Sequence, residues 1–286
     1  MTDDLRTLVS TEWLAQRLGE VVVLDASWHL ATAGRDAEAE FRAARIPGAR
    51  RFDLDALSDG ESPLPHMAPS PEAFRAAAAG WGVGPGTQVV AYDAAGLFSA
   101  ARAWWTFRLM GHERVAVLDG GLPKWLREGR PVETGEPGAG VRAEGPAGAP
   151  DRARVADAEA VARALSTGAA QVVDARGRPR FRGEAAEPRP GLRAGHMPGA
   201  VNLPFGEVLN ADGTMKDEGG IRAALAAEGI DPARPVIATC GSGVTAAILA
   251  LALERLGRTA AVYDGSWAEW GAVSDSDPDR PVATGP

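Results

Sequence analysis

The chain has 286 residues, 45% of them apolar and 24% charged, with a formal net charge of −8. That length predicts one or two domains, since single cores rarely grow past about 250–300 residues. The acidic balance speaks against nucleic acid or an anionic membrane as a partner, and no apolar stretch approaches the roughly 20 residues that span a bilayer.

Along the chain, short apolar runs alternate with helix-like segments. Val22-Val23-Leu24-Asp25-Ala26 comes first, then an Arg45-Ile46-Pro47-Gly48-Ala49 turn, then Gln88-Val89-Val90-Ala91-Tyr92-Asp93. Val117-Leu118-Asp119-Gly120-Gly121 follows and closes on Trp125. The next stretch is rich in Gly, Pro and Ala, has no helical or strand period, and reads as a linker. Beyond it a helix is predicted from Val155 to Leu165, with Asp157 near its start. Strands are predicted at Val172 to Asp174, Val201 to Leu203, Val236 to Thr239 and Ala260 to Tyr263. Helices are predicted from Gly220 to Glu228 and from Val244 to Leu256.

The second set repeats the first. Gln171-Val172-Val173-Asp174-Ala175 matches the first run at an offset of 149 residues, and His196-Met197-Pro198-Gly199-Ala200 matches the turn at 151. Pro235-Val236-Ile237-Ala238-Thr239-Cys240 matches at 147, and Val262-Tyr263-Asp264-Gly265-Ser266, closing on Trp270, at 145. Four landmarks in one order at nearly one spacing indicate a duplicated domain. The expected organisation is a domain at 1–138, a linker at 139–152 and a second domain at 153–286. Runs apolar on both faces, separated by helices, indicate an α/β fold in which each domain is a parallel sheet with helices on both faces. In such sheets the ligand binds outside the carboxyl ends of the strands.

Cys240 is the single cysteine, which excludes an internal disulfide and a multi-cysteine metal site and fits a reducing compartment. The opening residues Met1 to Arg6 hold no signal-peptide core, so a cytoplasmic protein is expected. A strand is predicted to end just before Cys240, and a Gly-Ser-Gly turn leads from it into a helix. Backbone N–H groups and the helix dipole there favour an anion, hence a reactive thiolate. Asp93 stands at the equivalent place in the first half, so that domain is expected to lack the chemistry. A cysteine-dependent phosphatase would need an arginine where this chain has Ala246.

The Asp174-Ala175-Arg176 strand end, the Gly195-His196-Met197-Pro198-Gly199-Ala200 motif, the Cys240 loop and the Asp264-Gly265-Ser266-Trp267-Ala268-Glu269-Trp270 ending resemble the rhodanese domain. Two such domains, with the cysteine only in the second, are similar to the tandem rhodanese-domain sulfurtransferases over essentially the whole chain. The resemblance implies an enzyme that carries sulfur as a persulfide on Cys240, with no metal and no cofactor. The loop Cys240-Gly241-Ser242-Gly243-Val244-Thr245 is similar to that of members acting on 3-mercaptopyruvate, which release pyruvate. Thiosulfate-using members carry basic residues after the cysteine. Gly241 and Ser242 are uncharged, whereas the thiosulfate dianion would be held best by cations in the loop.

By the same resemblance, Gly241, Gly243, Val244 and Thr245 form the substrate loop, and Arg180 and Arg189 bind the substrate. An arginine fork suits the carboxylate of a 2-oxo acid. Arg176, Arg178 and Arg182 are expected on a solvated surface. The resemblance also implies a relay of Ser242, His66 and Asp55, with Asp53 and Asp59 as neighbouring alternatives. Expelling pyruvate requires a proton to leave a thiol and reach an enolate, work that a carboxylate-oriented histidine can do near neutral pH. The sulfur acceptor would be cyanide, a small thiol or thioredoxin. Two other readings are a thiosulfate:cyanide sulfurtransferase and a non-catalytic persulfide carrier or interaction module. Trp104, Trp105, Trp125, Trp267 and Trp270 are assigned to packing, and His29, His112 and His196 show no metal-ligand spacing.

Overall fold

The apolar runs are strands of two to four residues, each stable only because neighbours cover it. The computed structural model describes residues 3–138, 140–272 and 279–286. The first five strands are β1 (Leu8–Val9), β2 (Val22–Asp25), β3 (Arg50–Arg51), β4 (Val89–Tyr92) and β5 (Val115–Leu118). The second five are β6 (Val155–Ala156), β7 (Gln171–Asp174), β8 (Val201–Asn202), β9 (Val236–Thr239) and β10 (Ala261–Tyr263). They make two sheets of matching order, β1-β5-β4-β2-β3 and β6-β10-β9-β7-β8, with parallel pairing throughout. Every residue of β4, β5 and β9 is buried, as parallel strands covered on both faces must be.

Contacts divide the chain into two units that are discontinuous in sequence. The first comprises Met1–Asp59, Ala68–Asp151 and Asn210–Met215; the second comprises Gly60–Met67, Arg152–Leu209 and Lys216–Pro286. His66 therefore counts with the second sheet, although the sequence sets it far ahead of that sheet. Residues 140–150 hold neither helix nor strand, and Ala139 lies outside the described residues.

The helix expected from Val155 starts later, and the reason is local. Val155 and Ala156 pair with Val262 and Tyr263 as β6, and Asp157 then caps the Ala158–Thr167 helix by accepting from the Ala160 N–H. An aspartate at that position satisfies an amide the helix cannot reach, so it fixes the start. Gly168, with φ at 69°, ends the helix. Asp217 caps Glu218–Ala227 in the same way. Val244 and Thr245 stay in the Cys240 loop, because the helix there runs Ala246–Arg255.

Trp104, Trp105, Trp125, Trp267 and Trp270 are all at most 1% exposed, so the packing assignment holds. Trp125 sits in the first sheet's core with Phe41 and Tyr92. Trp267 and Trp270 sit in the second core with Met197 and Tyr263. Burying side chains of this size contributes several kcal/mol each to a domain whose net stability is small. Among the described residues no helix is long and apolar enough to cross a membrane.

The strand order decides where a site can form. From β7 the chain moves to β8 on one side, then crosses to β9 on the other. The carboxyl ends of β7 and β9 flank that reversal of direction, the usual ligand position in such sheets. The segment after β7 carries Arg176 to Arg189, and the residue after β9 is Cys240.

Candidate active site

Cys240 directly follows β9, and its residue is 2% exposed. The chain then curls through Gly241, Ser242 and Gly243 to the Ala246–Arg255 helix. Gly243 has φ at 76°, which a side chain would strain, so glycine is the residue that makes this curl. Thr245, at the helix N-cap, makes no side-chain capping bond, and the first-turn amides of any helix lack partners within it. The curl thus leads directly from Cys240 to a helix N-terminus, a position that generally suits a bound anion.

Ser242 is buried, and its Oγ shares a 2.9 Å hydrogen bond with His66 Nδ1. His66 is itself 5% exposed, with φ at 63°. A β-carbon in that left-handed region is strained, and such residues cluster where function demands a fixed direction. Two members of the sequence-based relay are thus in contact. Asp55 lies in the short Leu54–Leu57 helix, and its carboxylate accepts from the Trp28 indole N–H at 3.1 and 3.3 Å. Asp53, one of the alternatives, is engaged as that helix's cap, accepting from the Asp55 and Ala56 amides.

Arg180 and Arg189 both reach the loop. A β-carbon placed on Gly241 would lie 3.0 Å from Arg180 Nη2 and 3.9 Å from Arg189 Nη1. The loop is neutral in sequence yet stands beside two guanidinium groups. Glycine at 241 leaves room for Arg180 at that distance, whereas 3.9 Å to Arg189 is ordinary van der Waals contact.

Arg176 corrects the sequence reading. It is not on a solvated surface but 2% exposed, with its guanidinium 4.2 Å from the Trp267 ring centroid. Its fork meets Asp174 at 2.6–3.1 Å, Glu187 at 2.9 Å and the Gly195 carbonyl at 2.9 Å. Burial works against the Arg176 charge, but the pull of Asp174 and Glu187 outweighs it and raises its pKa. Arg178 and Arg182 remain partly exposed, Arg178 paired with Glu228.

Glu187 was not singled out in the sequence, and its position explains Arg180. Its buried carboxylate accepts from Arg176 Nη1 and, through both oxygens, from Arg180 Nε and Nη2. A chain of alternating charge thus runs Asp174–Arg176–Glu187–Arg180, from the end of β7 to the loop. The signal was present: an acidic residue between two arginine clusters, which must neutralise one of them if buried. The tight His196 turn is structural, with His196 stacked on Phe181 at 3.9 Å and bonded to its carbonyl.

The first half repeats this geometry without the thiol. Asp93 follows β4, and its carboxylate accepts from the amides of Ala95, Phe98, Ser99 and Ala100 at 2.7–2.9 Å. It fills its own cradle and caps the Ala100–Leu109 helix.

Known proteins resemble the chain over most of its length. The model of the Rhodanese-like domain matches residues 10–128 and again 157–273. Human 3-mercaptopyruvate sulfurtransferase is 44% identical over 279 residues, covering 93% of this chain and 92% of the relative. The Escherichia coli K12 protein of the same name is 41% identical over 277 residues, covering 93% and 95%. The crystal structure of SseA from Escherichia coli, described for the fold and mechanism of 3-mercaptopyruvate sulfotransferases, superposes with a TM-score of 0.80. It is 37% identical, with 91% of this chain and 98% of that chain covered. The Tum1 protein of Saccharomyces cerevisiae gives a TM-score of 0.88 at 30% identity, with 99% of both chains covered. With two matched domains spanning most of its length, each built on a five-stranded parallel sheet, the chain belongs to the rhodanese-like family.

Proposed function

We propose that the chain is a 3-mercaptopyruvate sulfurtransferase working through Cys240. The carrying observation is the uncharged Gly241–Gly243 turn flanked at Gly241 by two guanidinium groups. That arrangement suits a donor whose carboxylate is met beside the loop and whose sulfur enters it. Arg180 gives its Nε edge to Glu187, which leaves the Nη1 edge for a substrate carboxylate, and Arg189 supplies the second fork.

The Cys240 thiolate attacks the sulfur of 3-mercaptopyruvate. The sulfur–carbon bond breaks, its electron pair leaves as the pyruvate enolate, and Cys240 holds the transferred sulfur as a persulfide. The proton lost by the substrate thiol reaches the enolate carbon, so the half-reaction yields pyruvate and the persulfide anion. His66 and Ser242, hydrogen-bonded to each other, carry that proton in this reading, and Asp55 completes the relay as the motif implies. Amides of the Gly241–Thr245 loop, apart from that of Gly243, which donates to Ser266 Oγ, stabilise the charge on the outer sulfur. An acceptor then removes that sulfur and returns the thiolate, so the kinetics are ping-pong. Thioredoxin or a small thiol is the acceptor we favour, with the cytoplasm as the reducing compartment where a lone thiol stays active; cyanide serves in the assay.

The test is kcat/KM for 3-mercaptopyruvate against thiosulfate on the purified protein. A preference for 3-mercaptopyruvate that falls about 10–100-fold in Arg189→Leu, mostly through KM, supports the proposal. A large preference for thiosulfate overturns it, and negligible turnover of both donors would favour a carrier module.

A further inference from the structure

Among the described residues only His66 and Ser266 are non-glycine residues with positive φ. His66 meets the Cys240 loop at Ser242; Ser266 meets it from another direction. Ser266 is fully buried, with φ at 49°. Its Oγ accepts from the Cys240 N–H at 3.2 Å and the Gly243 N–H at 3.1 Å, and donates to the Tyr263 carbonyl at 2.7 Å. One hydroxyl thus ties the first and last residues of the curl to the end of β10. The two residues that follow hold the loop too: the Trp267 N–H donates to the Cys240 carbonyl and the Ala268 N–H to the Gly241 carbonyl.

The repeat supplies the control. Ser266 lies 145 residues after Gly121, the offset of the surrounding motif, and Gly121 has nearly the same φ, 52°. Glycine adopts that conformation freely and serine does not. At Gly121 a β-carbon would come within 2.5 Å of the Asp93 carbonyl and 2.6 Å of that of Gly96. The fold at this position therefore favours glycine, and the active half carries a serine against that preference. A side chain held in strain and buried, whose oxygen accepts from two amides of the nucleophile's loop, has a purpose other than packing.

We propose that Ser266 is a positioning residue for sulfur transfer. By gathering the Cys240 and Gly243 amides onto its oxygen, it fixes the curl so that the intervening and following amides converge on the sulfur. This inference rests on the sulfurtransferase reading, and its test separates the two. Ser266→Gly removes the hydroxyl while relieving the strain, so the fold is retained and Tm stays close to that of the parent. Its expected signature is a kcat for pyruvate release lower by about tenfold or more with KM for 3-mercaptopyruvate unchanged, and faster hydrogen exchange at the Cys240 and Gly243 amides. Ser266→Thr keeps the hydroxyl at greater backbone strain, and is expected to be less stable than the glycine variant yet more active. If the parent protein releases no pyruvate, the sulfurtransferase reading falls. If the parent is active and Ser266→Gly matches its kcat, or the two amides exchange as before, the Ser266 proposal falls alone.

Discussion

The residues after β4 and β9 hold the same curl twice, with opposite outcomes. After β4, Asp93 turns its carboxylate into the curl and takes four amides for itself. After β9, Cys240 brings a thiol in place of the carboxylate, and the Ser266 hydroxyl accepts from the amides at the two ends of the curl. A built-in anion closes its own cradle; a thiol does not, and under the proposed function that curl receives the incoming sulfur. The neighbouring strands differ in the same sense. Asp25, at the end of β2, is raised in pKa chiefly by burial, against the bonds it accepts from Ser27. Asp174, at the equivalent place after 149 residues, is clamped by Arg176, which stands where the first half has Ser27. That arginine starts the chain of charge that ends on Arg180. Duplication has kept the scaffold and placed the cysteine and its arginines in the second copy, while His66, the partner of Ser242, comes from the first half of the sequence.

The comparison breaks most sharply at the nucleophile. Cys240→Ser is expected to lower pyruvate release by about 10⁴-fold or more with little change in Tm, because a covalent step has no substitute. Pyruvate release unchanged in that variant would end the account. A smaller loss, about 100-fold in kcat, is expected for His66→Asn and for Ser242→Ala, the usual scale for a lost proton carrier. If the two act as one relay, the double variant loses little more than either single one. Asp55→Asn is the separate test of the third member, and unchanged kcat removes it from the relay.

The first curl should respond in the opposite way. Asp93→Ala strips four amides of their partner and is expected to destabilise the protein by about 3 kcal/mol or more, several degrees in Tm, while kcat of the folded protein stays near the parent's. A loss of kcat without a loss of stability would mean that the Asp93 curl does chemistry. The smallest effect belongs to Glu128, also in the first unit. Burial raises its pKa, but hydrogen bonds from Lys124, Thr11 and Arg130 outweigh this and lower it to about 2. A carboxylate depressed in the folded state stabilises above its unfolded pKa and loses that effect as pH falls from about 4.5 through 2. Glu128→Gln should therefore lower Tm by about 1–3 °C at pH 7, a gap that closes as the solution is acidified, with activity unaffected.

Much of this was legible in the chain. The duplication came from four landmarks, and the strands from runs of Val, Ile and Ala that only a parallel sheet covered on both faces can bury. The placement of Arg180 and Arg189 beside the Cys240 loop was legible, because motif and chemistry point to the same two arginines. Arg176 was not, since a cluster of four arginines reads as surface until the fold shows which one faces inward. Val155 misled because a two-residue strand leaves too few residues for a period, and Asp157 alone marked the change. Ser266 was hidden for a different reason: its conformation, not its chemistry, is unusual, and backbone angles leave no trace in composition. The register with Gly121 was the one available clue.

The central claim is that the open curl after β9 takes the sulfur. Protein mixed with 3-mercaptopyruvate and no acceptor should release pyruvate in a burst equal to the protein present, with one added sulfur found by mass spectrometry on the Cys240 peptide. A pyruvate burst with no sulfur on that peptide would contradict it.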